Sequence, residues 1–256
     1  MGHVERITVY PVKGLDGIDL ERARILDGGT VEHDREFALF DAAGEVVNGK
    51  RTDRVHDLRT GYETSTGELT VEAGEERRRF DLDAERDRAA EWFAGFFDAD
   101  LTLQRDRSLG FVDRREMGPS VVSTATLEAV ASWFEDVTVE GARRRLRTNV
   151  EIGGVPAFWE DRFVGPDAPS FVAGDLRFEG VTPCGRCVVP ERDPDTGEPT
   201  PEFRERFVSR REATFPEWAD PGAFDHYYTL TIIASVVEAD RGGTLGVGDP
   251  VRVADA

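Results

Sequence analysis

Apolar residues in this chain come in short runs, alternating or contiguous, broken every few positions by Gly, Asp or Asn, and that spacing constrains the fold more than any other feature. Such runs are strand-length. Strands are predicted at Ile7 to Tyr10, Phe37 to Phe40, Leu69 to Ala73, Leu101 to Leu103, Val172 to Phe178, Tyr228 to Glu238 and Val251 to Val253. Helical periods are few. Ala89, Trp92, Phe93 and Phe96 recur on one face behind a capping Asp83, and Leu127, Val130, Ala131 and Phe134 do so behind Ser123 or Thr124. A third, weaker helix follows Thr200 with Pro201 in its first turn and Phe203 and Phe207 on one side. The expected fold class is mainly β with some α: two irregular β-barrel units with a few helices. The polar stretch from Arg105 to Gly118 is the best boundary, giving an N-terminal unit at 1–105 and a larger C-terminal unit at 106–256.

Charge narrows the function. Against 32 basic residues stand 51 acidic ones, a formal net charge of -19, which argues against a nucleic-acid partner held by a basic surface. Only Lys13 and Lys50 are lysines. An acidic surface that uses arginine suits an organism with high internal salt, where screening shortens repulsion between carboxylates. No apolar run reaches the roughly 20 residues that cross a bilayer, and the first residues lack the basic start and apolar stretch of a signal peptide. The expectation is a cytoplasmic protein with no membrane partner.

The two cysteines form one Cys-x-x-Cys, Cys184 and Cys187, with Arg186 between them. A neighbouring guanidinium favours the thiolate, the form that attacks disulfides or ligates soft metals. Three readings of the pair stay open on these residues. Zinc normally takes four Cys or His ligands, and His3, His33, His56 and His226 are scattered singly. A thioredoxin-like pair sits between a strand and a helix, whereas Val188, Val189 and Pro190 follow here. Two small buried thiols with a packing role are the third. The glycine-rich stretch Gly242 to Gly248 precedes a strand-like Val251 to Val253, so it leads into a hairpin and is no nucleotide loop.

Downstream of the thiols, Asp193-Pro194-Asp195-Thr196-Gly197 is a strong turn signal. The run from Thr182 to Gly197 resembles the signature of MOSC domains, the molybdenum-cofactor sulfurase C-terminal family. Tyr10-Pro11-Val12-Lys13-Gly14 and His33-Asp34-Arg35-Glu36-Phe37-Ala38-Leu39 resemble the N-terminal β-barrel domain that accompanies MOSC in the amidoxime-reducing proteins. Segments at Ser123 to Leu127, Arg145 to Val150 and Gly248 to Val251 resemble successive MOSC segments in order, so the resemblance spans nearly the whole chain.

The resemblance implies a molybdenum-molybdopterin cofactor lying between the two units, with Cys187 as the catalytic molybdenum ligand and Cys184 in the pocket wall. Lys13 and Arg35 from the first unit, and Arg147, Asn149 and Arg186 from the second, would bind the cofactor. Taken alone, Lys13 reads as a solvated turn residue, Arg35 as half of a surface ion pair, and Asn149 as a turn closer. Arg143, Arg144, Arg145 and Arg147 form a basic cluster in this acidic chain, suited to phosphate but equally to a solvated edge strand. The activity implied is a reductase removing oxygen at molybdenum from N-hydroxylated or N-oxide-type small molecules. No flavin, haem or nicotinamide motif is present, so a separate electron-donor protein would feed it. The alternative is a carrier for the cofactor or its sulfur, without substrate turnover, in which Cys187 holds a persulfide or a passive ligand bond. Two departures stand out: Gly14 where vertebrate amidoxime-reducing proteins have serine, and Arg115-Glu116-Met117-Gly118-Pro119 where they have a polar Asp-Thr-Ser-Pro segment, which would place Glu116 unhelpfully near an anionic cofactor.

Overall fold

The computed structural model describes residues 1–114 and 118–254, so the departure at Glu116 lies outside the described residues. Along the chain run β1 (Gly2–Val9), β2 (Ile18–Leu20), β3 (Arg22–Arg24), β4 (Phe37–Asp41), β5 (Leu58–Glu63), β6 (Glu68–Ala73), β7 (Glu76–Asp81), α1 (Arg86–Phe97) and β8 (Leu101–Arg105). There follow β9 (Ser120–Ser123), α2 (Thr124–Ser132), α3 (Val139–Leu146), β10 (Val150–Gly153), β11 (Phe171–Ala173), β12 (Leu176–Gly185), α4 (Phe203–Ala213), β13 (Thr229–Val236), β14 (Thr244–Gly246) and β15 (Pro250–Val253). The fold is mainly β with helices, as the short apolar runs require.

Seven strands close a barrel in the order β10, β9, β13, β12, β11, β15, β1 and back to β10, with β2 paired on the outside of the ladder to β1. The first strand of the chain is the closing stave: Ile7 faces Val150 on one side and Gly2 faces Val251 on the other. Its alternating burial sends Val4, Ile7 and Val9 into a core with Ile152, Phe163, Phe171, Phe178 and Ile232. Each such side chain contributes about 1.5–3 kcal/mol of burial. β13 is buried on both faces because α2, α3 and α4 cover its outer side, where Leu230 joins Leu127, Leu146, Phe203 and Phe207. The rest of the N-terminal region folds around a separate core. The β4–β8 ladder and the β5–β6–β7 meander enclose Phe37, Leu69, Phe80 and the Ala89 and Phe93 face of α1.

Several local expectations are corrected. Val172 to Phe178 is a hairpin, because Gly174 at φ 58° turns the chain between Ala173 and Leu176. Asp83 does not cap α1; it pairs with Arg105 and Arg107, and Glu85 takes the cap position without a side-chain bond. Pro201 lies ahead of α4, which starts at Phe203 behind a left-handed Glu202. The arginine cluster forms helix α3 instead of an edge strand, because Thr138 Oγ1 accepts from Gly141 N at 3.0 Å and caps it. Gly242 to Gly248 contains β14, which pairs with distant β3 (Leu245 opposite Ala23) instead of opening a local hairpin.

A buried charge cluster ties α4 to the barrel. Arg211, fully buried, donates from Nη2 to Asp161 Oδ2 at 2.5 Å and packs its guanidinium over Phe158 at 4.6 Å and Phe215 at 5.1 Å. Beside it Glu160 Oε2 accepts from Ser123 N at 3.2 Å. Burial pushes both carboxyls above the ordinary range, and Glu160 also feels the Asp161 charge, while the Arg211 guanidinium opposes the rise in each.

Candidate functional site

A cavity of about 760 Å³ opens between the barrel and the N-terminal region, and all six residues singled out from sequence line it: Lys13, Arg35, Arg147, Asn149, Arg186 and Cys187. Cys184 lines it too. The thiols are positioned by the end of a ladder. β12 pairs with β13 as far as Gly185 opposite Thr229, through an irregularity at Pro183 to Gly185, and Arg186 N still donates to Tyr228 O at 2.9 Å. One residue later the chain leaves the sheet, which frees Cys187 from the strand. Both cysteines are unpaired and partly exposed. The Arg186 guanidinium favours Cys184: its Nη1 lies 3.2 Å from Cys184 Sγ, Nη2 donates to Leu146 O at 2.8 Å, and Nε is buried with no partner.

Arg147 and Arg35 share one ring. Arg147 ends α3 in the left-handed conformation at φ 53°, which turns its side chain over Tyr10 at 4.0 Å, while Nη2 donates to Leu15 O at 2.6 Å. Arg35 sits 4.9 Å from the same ring and pairs with Asp34. Burial lowers the Arg147 pKa, and the Arg35 charge pushes the same way; burial raises Tyr10 to about 12 despite both cations. Two guanidiniums with one carboxylate leave a local positive excess in a closed place, and such a place favours an anion.

Asn149 lines the cavity but is largely committed inward. Its Oδ1 accepts from Ser120 N and Oγ at 3.2 and 2.9 Å, and Nδ2 donates to Thr8 O at 3.2 Å, leaving one amide N–H. Gly14 adopts φ +92°, and a Cβ there would lie 3.1 Å from Asn48 Cα and Val47 O, so the absence of serine at this position has a backbone reason.

Sequence reasoning missed the groups that hold this site in place. Lys13 Nζ donates to Phe111 O at 2.6 Å and to Asp113 Oδ1 at 2.5 Å, and Lys50 Nζ reaches Asp113 Oδ2 at 3.0 Å. Burial would raise Asp113, but the two ammonium groups outweigh it and hold the carboxyl down to about 2. The arginine cluster is occupied instead of solvated. Arg143 pairs with Glu151 at 2.6 Å, Arg145 donates to Pro190 O at 2.9 Å, and Arg144 and Arg59 converge on Asp195 Oδ1 at 2.7 and 3.0 Å. The Asp193 to Gly197 turn is thereby latched to α3 and to β5 at once. His56, beneath that turn, keeps a buried Nε2 without a partner, and burial lowers its pKa. The scarcity of lysine was the one signal that could have found Lys50; nothing local marks Asp113, Arg59 or His56.

The donor set fits an anionic ligand carrying a soft metal. Among the described residues no group of three or more His, Cys, Asp or Glu is placed to hold a metal ion. The cavity instead offers thiols as soft ligands, cations without enough carboxylates, and unpartnered polar atoms at Arg186 Nε, His56 Nε2 and Thr148 Oγ1. Among the described residues, no helix is long and apolar enough to cross a membrane.

Residues 1–140 match the family described as the MOSC N-terminal beta barrel domain, and residues 114–252 match the MOSC domain. The chain is 22% identical over 295 residues to mitochondrial amidoxime reducing component 2 of Bos taurus, covering 98% of this chain and 83% of that protein. It is 24% identical over 292 residues to mitochondrial amidoxime-reducing component 1 of Mus musculus, covering 98% and 82%. Against the molybdenum cofactor sulfurase of Oryza sativa subsp. japonica it is 29% identical over 80 residues, 31% of this chain and 10% of that one.

Proposed function

The chain belongs to the MOSC family, and from that premise we propose that it is a molybdenum-cofactor oxidoreductase that removes oxygen from N-hydroxylated or N-oxide-type small molecules. The observation that carries this reading is the cavity itself, which gathers a free Cys187 with Lys13, Arg35, Arg147 and Arg186 from both halves of the chain. The relatives named amidoxime reducing components support the reaction class. When bound, the cofactor supplies a redox-active metal able to accept oxygen and exchange electrons.

The residues divide the remaining work. Cys187, released from the sheet, gives the soft thiolate ligand. Arg147 and Arg35, stacked on Tyr10, offset the charge of an anionic pterin, and Arg186, with an unpartnered Nε–H, and Asn149, with one uncommitted amide N–H, line the same cavity. Cys184 stays beside Arg186 as wall. The division at 105/106, with the cofactor between the units, belongs to this proposal, as do a cytoplasmic location and a separate electron-donor protein.

The test is molybdenum and zinc per chain in protein made in a cofactor-competent host. Wild type and Cys184→Ala carry molybdenum, and Cys187→Ala loses it. Zinc, or molybdenum indifferent to Cys187, refutes the reading. The proximity of Cys184 to the guanidinium of Arg186 favours one second reading, a sulfur carrier with Cys184 as resolving thiol. That reading expects a persulfide mass on Cys187 and no loss of turnover in Cys187→Ala, because there is no turnover to lose.

A further inference from the structure

Both lysines of the chain meet on one carboxylate. The surrounding guanidiniums are fixed in place, Arg147 on Leu15 O and Arg186 on Leu146 O. The lysine pair is arranged differently. Lys13 is anchored: its backbone N donates to Phe37 O at 2.8 Å, its side chain is only 16% exposed, and its ammonium also holds Phe111 O. Asp113 is the loose partner, with 59% of its side chain exposed at the cavity rim. A carboxylate so exposed can exchange an ammonium partner for water without being buried unpaired. Lys50, about half exposed, reaches the other oxygen of the same carboxylate and lines the same cavity as the two thiols. An ammonium is a compact point charge with rotatable donors, able to exchange one oxyanion for another without the planar match a guanidinium demands.

We propose that Lys13 and Lys50 form a seat for a multiply charged oxyanion in the cavity that the thiols also line, and that the Asp113 carboxylate occupies this seat until such an anion displaces it. The proposal deepens the cofactor reading and rests on it for what the cavity holds. Two sources share the chemistry: an anionic oxygen group of the bound cofactor, or an anionic substrate approaching the thiols. Asp113 then sets a threshold. A group with a single negative charge gains nothing by replacing it, whereas a dianion does.

The test is calorimetric titration of inorganic phosphate into the full, cofactor-free chain. Asp113→Asn binds phosphate roughly tenfold more tightly than wild type, the equivalent of removing a competing ion pair. Lys50→Gln weakens binding, and Asp113→Asn with Lys50→Gln loses the gain. Glu75→Gln, in the turn between β6 and β7 and not lining the cavity, removes the same formal charge and leaves the affinity unchanged; thermal melts confirm that each variant folds. An Asp113→Asn variant that binds no better than Glu75→Gln, or a gain that survives without Lys50, overturns the seat. Repeating the titration on cofactor-loaded chain separates the sources: binding abolished assigns the seat to the cofactor, and binding retained assigns it to substrate. Molybdenum retained in Cys187→Ala would refute the cofactor reading without moving these titrations, so the two failures are distinguishable.

Discussion

Replacing Arg211 by leucine should cost more stability as pH rises. The guanidinium is fully buried, is held by Asp161 at 2.5 Å, and neighbours a second buried carboxyl, Glu160. Removing one partner of a buried pair costs about 3–5 kcal/mol, since the other is left uncompensated. For a domain of this size that corresponds to a melting temperature lower by roughly 6–20 °C. The pH dependence follows from the direction of the shifts. Both carboxyls titrate above their unfolded values, so their contribution is fully present below the ordinary carboxylate range and is lost as pH rises toward the raised folded values. Without Arg211, which pulls both down, those values rise further. Each proton kept by the folded chain and lost by the unfolded one then removes about 1.4 kcal/mol per pH unit. Urea denaturation of wild type and Arg211→Leu at pH 5.5 and pH 8 reads the difference, which should widen by 1 kcal/mol or more at the higher pH. An equal loss at both pH values, or a loss below about 1 kcal/mol, refutes the account.

Gly180→Ala should destabilise strongly, by about 3 kcal/mol, because a Cβ there would meet Phe163 O at 1.9 Å while the Gly180 backbone is held in the β12–β13 ladder and Phe163 is buried in the barrel core; a melting temperature within a degree or two of wild type would contradict the packing. Arg147→Met should leave the cofactor-free chain about as stable as wild type while lowering molybdenum content. The lost stacking on Tyr10 and bond to Leu15 are offset by relief of a buried charge whose protonated form burial disfavours; a large drop in melting temperature would show the residue to be structural. Asp195→Ala releases Arg59 and Arg144 together and should make the Asp193 to Gly197 turn the first site of limited proteolysis, an outcome absent if the turn is held by its own Asp193 bonds alone. With a net charge of -19, the urea midpoint should rise between about 0.05 M and 1 M KCl as screening shortens from more than 10 Å to about 3 Å, and a flat response would remove the case for salt adaptation.

How much was legible depends on the range of each signal. Leu127, Val130 and Ala131 behind Ser123 could be read as a helix because the cap and its face lie within a dozen residues, and the structure places Ser123 Oγ as acceptor for Thr126 N at 3.1 Å. The same reasoning failed for α3, whose apolar face is only Val139, Ala142 and Leu146 among arginines. Asp83 looked like a cap, but Arg105 and Arg107 arrive from beyond α1 and claim it.

By itself the sequence determined that the chain is mainly β and that its only thiols flank an arginine at a strand end, because strand periodicity and turn chemistry are local; Lys13, Arg35, Arg147, Asn149, Arg186 and Cys187 were singled out by the resemblance to MOSC segments and by no local pattern. Tertiary structure alone decided that β1 closes the barrel, that Arg186 turns to Cys184, that Asn149 is mostly spent on Ser120 and Thr8, and that both lysines converge on Asp113. Those outcomes depend on segments far apart in the chain, and which carboxylate or carbonyl reaches a given cation is set by the packing of the barrel against its neighbours, a quantity that no local pattern carries.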